Sequence, residues 1–248
     1  MDSLSWKKLI PKIKVLPTQR LYYNQYLYKL ELVAFASQCI NSTADIESAI
    51  NFRRTTYRDI NFAGSWHARM NKQLDSADPV WLKYLKEFKQ NPAFDFKFRA
   101  EEPRVQIYTN DHDALFKFVK DMPQFANYVS SVTMPNSQEE MAILETGKQI
   151  VKTAPAYRYK IIFRDGKYDL DSKRSILNYL DGLGDVIKIT KHCREELSKG
   201  YSTIWDTYIY SNDPGITIFL QIINPRLIRR IIETTVIADI NTVITKES

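Results

Sequence analysis

Between Tyr157 and Arg164 the chain alternates without a break. Tyr157, Tyr159, Ile161 and Phe163 fall on one face of an extended segment, and Arg158, Lys160, Ile162 and Arg164 on the other. A paler version runs from Tyr22 to Val33, with Tyr22, Tyr26, Tyr28, Leu30 and Leu32 on one side and Gln25, Lys29 and Glu31 on the other. Period-two alternation of this kind predicts a half-buried strand in each place. After the first, Asn41-Ser-Thr-Ala-Asp-Ile-Glu opens a helix to about Arg54, with Ser42, Thr43 and Asp45 as candidate caps and Ile46, Ala49 and Ile50 as its buried stripe. Thr55 to Phe62 returns as a strand. A polar linker then leads to a helix opened by Asp78-Pro79, whose stripe is Trp81, Leu82, Leu85 and Phe88. Ala93 to Ala100 and Arg104 to Tyr108 read as two short strands.

Two echoes predict an internal duplication. Ile107-Tyr-Thr-Asn-Asp111 and Ile209-Tyr-Ser-Asn-Asp213 match in four of five positions at an offset of 209 − 107 = 102, which also pairs Pro123 with Pro225. Tyr26-Leu-Tyr-Lys29 matches Tyr157-Arg-Tyr-Lys160 at an offset of 157 − 26 = 131. The offsets differ by 131 − 102 = 29, about the length of the 64 to 91 segment, so an insertion in the first half reconciles them. The alignment also decides an ambiguous stretch. Periodicity alone allows a helix over 112 to 122, but its counterpart Ile216-Thr-Ile-Phe-Leu-Gln-Ile-Ile223 is β-branched, so both are expected to be second strands of hairpins that lead through Pro123 or Pro225 into helices.

Met134-Pro-Asn-Ser137 closes the first unit, and Ser137-Gln-Glu-Glu140 has capping-box spacing. The second unit reads as a strand at 157 to 164, a helix from Asp171 through Leu180, a strand from Val186 to Thr190, a short helix at 191 to 199, a hairpin over 203 to 223 and a helix from Asn224. The expected organisation is a basic arm (1–20), a first α+β unit (21–135) with an insertion at about 64–91, a connecting helix and linker (136–156) and a second α+β unit (157–248). The fold class is α+β, two related β-α-β…β-β-α units that resemble, in order of elements, a tandem ferredoxin-like arrangement. A basic chain of this length and order also resembles CRISPR-type RNA-processing endonucleases. Their glycine-rich C-terminal loop is absent, for Asn224 to Ile232 contains no glycine.

Composition narrows the function. With 248 residues the chain can bury a core without staples, and two cysteines, Cys39 and Cys193, make neither a disulfide framework nor a four-ligand zinc site. No long apolar run and no apolar leader core occur, so an intracellular protein, cytoplasmic or in another compartment, is expected, with no membrane partner. Seven glycines and no Gly-rich phosphate loop weigh against P-loop chemistry, and no cofactor is implied. A net charge of +6 favours a polyanionic partner.

The candidate nucleic-acid-binding residues are Arg158, Lys160, Arg164, Lys167 and Tyr168 on and after the alternating strand, and Arg226, Arg229 and Arg230 on the expected last helix. On the strand itself aromatics and cations lie on opposite faces, whereas a single-strand platform presents them together. The inward-facing reading of the tyrosines therefore stands beside the binding one, and the signature of RNA-recognition sheets is absent. The three histidines stand apart in no catalytic motif, and no catalytic residue is assigned. Asp165, Asp169 and Asp171 could hold Mg²⁺, although a turn and a helix cap explain them as well. Three readings follow: a single-stranded DNA- or RNA-binding protein with sequence-tolerant phosphate contacts; a structural or interaction subunit of a viral or multi-subunit assembly, with a protein partner; and a metal-dependent nuclease or nucleotidyl transferase.

Overall fold

The structure is a computed structural model, described here for residues 3–58, 72, 74–91, 95–200 and 203–237. It is an α+β protein of two compact units, Met1–Met141 and Ala142–Ser248.

In the first unit α1 (Ser3–Leu9), β1 (Lys14–Pro17), β2 (Tyr28–Val33), α2 (Ile46–Arg58), α3 (Pro79–Lys89), β3 (Phe96–Glu101), β4 (Arg104–Thr109), α4 (His112–Lys120) and β5 (Val129–Met134) build a five-stranded sheet in the order β1-β5-β2-β4-β3. β1 runs parallel to β5, and every other neighbouring pair is antiparallel. One face of the sheet packs Leu30, Leu32, Val105, Ile107 and Val132 against the helices, among them Trp81, Leu82 and Leu85 of α3 and Leu115 and Phe118 of α4. The expected caps form: Asp45 accepts from the backbone of Ser48, and Asp78 from that of Trp81. The strand expected from Thr55 is instead the end of α2, while 59 to 62 lie outside the described residues.

Residues 1 to 20 are not an irregular arm. α1 and β1 lie there, and Trp6, Ile10 and Ile13 are buried in the first core, whereas Lys7, Lys8, Lys12, Lys14 and Arg20 stay exposed. Docking follows from the apolar residues: full burial of a large one is worth roughly 1.5–3 kcal/mol, more than a short solvated leader loses by ordering a few side chains.

The second unit repeats the plan. After α5 (Gln138–Glu145), within which the unit boundary falls, come β6 (Gln149–Val151), β7 (Tyr159–Phe163), β8 (Gly166–Lys167), α6 (Leu170–Gly182), β9 (Ile187–Ile189), α7 (Lys191–Ser198), β10 (Thr203–Ile204), β11 (Tyr208–Ser211), α8 (Ile216–Ile223) and β12 (Ile228–Val236). Its sheet has the order β6-β12-β7-β11-β9, with β6 parallel to β12 and the rest antiparallel, the same order and directions as in the first unit. β8 and β10 form a separate two-stranded ribbon. Ile161, Phe163, Ile187 and Ile209 pack one sheet face against Ile176 and Leu180 of α6 and Ile216 and Leu220 of α8.

This topology overturns three expectations. β4 and β5 are both antiparallel to β2, hence parallel to each other, and β11 and β12 stand in the same relation about β7. A hairpin cannot join parallel strands, so 112–120 and 216–223 are crossover helices. Asp111 caps the first through the backbone of Ala114; at the second, the Asp213 carboxylate accepts from Gly215 and isoleucines four apart form the stripe despite their β propensity. Pro225, expected to open a helix, sits in a turn, and Ile228–Val236 fills the slot between β6 and β7 as a strand. Pro123 opens only a 3₁₀ helix, Pro123–Tyr128.

Two details recur between units at the offsets read from the sequence. Asn110 accepts from the backbone of Leu27 at 2.9 Å and donates to the Gln25 carbonyl at 3.0 Å; Asn212 accepts from Arg158 at 3.0 Å and donates to Ala156 at 3.1 Å. Thr109 and Ser211 each accept from the backbone of the aspartate two residues on.

Candidate nucleic-acid interface

The helix-free face of the second sheet is the surface that gathers cations and aromatic rings. On β7 it carries Lys160 and Ile162, on β11 Tyr208 and Tyr210, on β9 Lys188 and on β12 Arg230 and Ile232, because each of these alternates with a residue turned to the other face. Register places Tyr210 directly between Lys160 and Lys188, a Lys-Tyr-Lys row across three strands. The Lys160 ammonium lies 3.5 Å from the centre of the Tyr208 ring, Tyr208 meets Tyr210 edge-on at 5.5 Å, and Tyr157 lies nearly parallel to Tyr210 at 6.5 Å. Burial, and then Tyr208, push the Tyr210 hydroxyl above its ordinary pKa, so it stays a neutral donor. No carboxylate is among the residues of β7, β9 and β11 that point to this side.

The first sheet has the same row, and there it is covered. Register puts Tyr108 between Lys29 and Lys97. The rings of Tyr22 and Tyr23 rest on Tyr108 at 5.2 and 5.0 Å; Lys29 lies 5.6 Å from the Tyr22 ring and Lys97 3.7 Å from the Tyr23 ring, and Arg99 donates to the Tyr23 hydroxyl. Tyr108 is 5% exposed as a result. Tyr23 and Asn24 hold left-handed backbone, φ 52° and 63°, in the tight turn that brings the rings down. Glu31 and Gln106 stand beside this row and hydrogen bond to each other. At the second row Ile162 and Tyr208 pair with each other instead, so the acid is missing.

The residues expected to bind nucleic acid fall into two groups. Lys160 and Arg230 share the open face, Arg230 donating to the Gly147 carbonyl at 3.5 Å. Arg158, at the start of β7, holds Glu233 at 2.5 Å, and Lys148 holds the same carboxylate at 3.2 Å. Burial raises the Glu233 pKa, but these two hydrogen-bonded cations outweigh it and the carboxyl sits below its ordinary value. At the other end of β7, the Arg164 guanidinium donates to the Arg226 carbonyl at 3.2 Å, and Arg229 pairs with Asp165 at 3.6 Å. Lys167 is exposed on the β8–β10 ribbon. Tyr168, expected beside phosphates, is instead a core residue whose hydroxyl donates to the Arg164 carbonyl. The triple arginine is not on a helix: an irregular step in register between Ile228 and Arg230 sets Arg229 apart from Arg230, and Arg226 precedes the strand. Tyr208, Tyr210 and Lys188 were missed because their meeting depends on strand order; only the Tyr-Ile-Tyr alternation at 208 to 210 signalled them.

The three aspartates have structural duties. Asp169 caps α6, accepting from the Ser172 backbone at 2.7 Å and hydroxyl at 2.6 Å, and these bonds hold its pKa below the ordinary value. Asp165 also accepts from the backbone of Asp206, and Asp171 is exposed beside Arg174. Among the described residues no group of three or more His, Cys, Asp or Glu is placed to hold a metal ion, and no described helix is long and apolar enough to cross a membrane. Compared with models of known protein families the chain matches none, and a search of curated proteins finds no match to it.

Proposed function

We propose that the chain binds single-stranded nucleic acid on the helix-free face of the second sheet, with sequence-tolerant contacts to phosphate. The observation that carries this reading is the Lys160-Tyr210-Lys188 row, flanked by Arg230 and by no carboxylate on β7, β9 or β11. Lysines on a flat sheet reach phosphates at many registers, which suits binding without sequence preference, and tyrosines between them tolerate any base. The net charge of +6 agrees in sign. Retention of a labelled oligonucleotide by the full chain in low salt is the test; a chain that leaves it unretarded at micromolar protein sinks the proposal.

A second reading, an interaction subunit, is favoured by α8. Ile218, Phe219 and Ile222 on its outer side are 62%, 59% and 73% exposed, an apolar face of the kind that meets a protein surface. Under that reading Ile218→Asp with Ile222→Asp abolishes a stoichiometric complex seen by sedimentation, and a wild-type chain that remains monomeric and captures no partner removes it.

We also infer that the two units are copies of one ferredoxin-like unit. Setting aside β1 and β6, the four remaining strands of each sheet have the order fourth-first-third-second with two crossover helices, which is the split β-α-β plan. The matched asparagine brackets and Lys-Tyr-Lys rows support common descent over chance. Cross-strand amide contacts measured by NMR that gave the two sheets different strand orders would end this inference.

A further inference from the structure

The first unit shows what a Lys-Tyr-Lys row accepts. Two aromatic rings of its own chain, Tyr22 and Tyr23, lie on Tyr108, each with a lysine ammonium at its face, and an arginine reads the hydroxyl at the edge of one of them. The turn that delivers them uses left-handed backbone at Tyr23, an arrangement costing about 1 kcal/mol or more that ring packing must offset. The row in the second unit has the same lysines at the same register positions, but Tyr210 is only partly buried and Lys188 is exposed. Its neighbour is Ile162 in place of the Glu31 of the first row.

We infer that the second row is a base-stacking site: two successive unpaired bases of a nucleic-acid strand lie on Tyr210 between Lys160 and Lys188, where Tyr22 and Tyr23 lie on Tyr108. The inference rests on the nucleic-acid reading and deepens it, because it assigns the affinity to bases as well as phosphates. A planar ring fits the row by the contacts Tyr22 and Tyr23 make. The unopposed lysine charges select a ring carried on an anionic chain over a tyrosine of a neutral peptide. Duplex is excluded by the same geometry, since its base faces are already stacked on one another.

The test compares two ligands of equal length and charge, oligo(dT) and an abasic phosphodiester chain, binding the full-length protein by fluorescence anisotropy. Stacking is worth about 1–3 kcal/mol per base, so oligo(dT) is expected to bind about 5- to 150-fold more tightly, and Tyr210→Ala to bring it to the abasic level while abasic binding is unchanged. Lys188→Glu, an exposed substitution with no packing to lose, is expected to weaken both ligands. Equal wild-type affinity for the two ligands overturns stacking and leaves phosphate binding in place, whether or not Tyr210→Ala folds. Unchanged binding of both by Lys188→Glu moves the site off this row and overturns the inference. Binding of neither ligand by the wild type overturns the nucleic-acid reading with it.

Discussion

Asn110 and Asn212 each tie the segment before a central strand to the end of its neighbour through both ends of one side-chain amide. Because the two brackets make the same pair of bonds, Asn110→Ala and Asn212→Ala are predicted to destabilise the protein by similar amounts, about 1 kcal/mol each, measured by urea unfolding. His112 is a different case. The Trp6 indole donates to its Nε2 at 2.9 Å inside the first core, which requires that nitrogen to be unprotonated. Burial pushes the imidazole below its ordinary pKa, partly opposed by the adjacent Asp113. The unfolded state therefore takes up a proton first as pH falls. The stability this contributes is complete above the unfolded value, about 6.5, and is lost as pH drops from there toward the folded value. Denaturation at pH 7.5 and 5.5 is expected to show a larger loss for the wild type than for His112→Gln. The cysteines were legible from the sequence as incidental thiols: both are buried, and burial pushes the Cys193 thiol up to about 12. Neither is predicted to react with a thiol reagent at neutral pH until the chain unfolds, and rapid reaction in the folded protein contradicts this.

Among the elements, Asp78 illustrates how a local signal and a distant contact combine. One carboxylate oxygen caps α3 and the other accepts from the Tyr128 hydroxyl at 2.9 Å, so Asp78→Ala is predicted to cost about 1–2 kcal/mol, read as a lowered urea midpoint. Such caps were legible, as were the strands at β2, β4 and β7, because each depends on neighbours in the chain. The two crossover helices were not. The alignment of 112–122 with 216–223 pairs equivalent elements, but β propensity assigned the wrong type to both, since what makes them helices is the strand inserted between β4 and β5 and between β11 and β12. The same lack of neighbour information hid the open-face row. Read alone, Tyr157 to Arg164 separates aromatics from cations; paired with β11, its cationic side meets Tyr208 and Tyr210. The buried side of the strand, Ile161 and Phe163, follows the alternation as read.

At the scale of the whole chain, two sheets of one plan carry the same row in different states. In the first unit the chain's own tyrosines cover it and an acid stands beside it; in the second it is partly exposed among cations. A duplicated surface that is closed in one copy and open in the other divides labour, one row serving stability and the other recognition. That division rests on the open row meeting phosphate. The most direct measurement is the dependence of oligonucleotide affinity on salt for the wild type and for Lys160→Gln with Lys188→Gln. Each phosphate neutralised on a single strand contributes about −0.7 to the slope of log K against log salt, so the double variant is predicted to bind more weakly with a slope shallower by about 1.4. A wild type whose affinity ignores salt, or a double variant with the wild-type slope, contradicts the account.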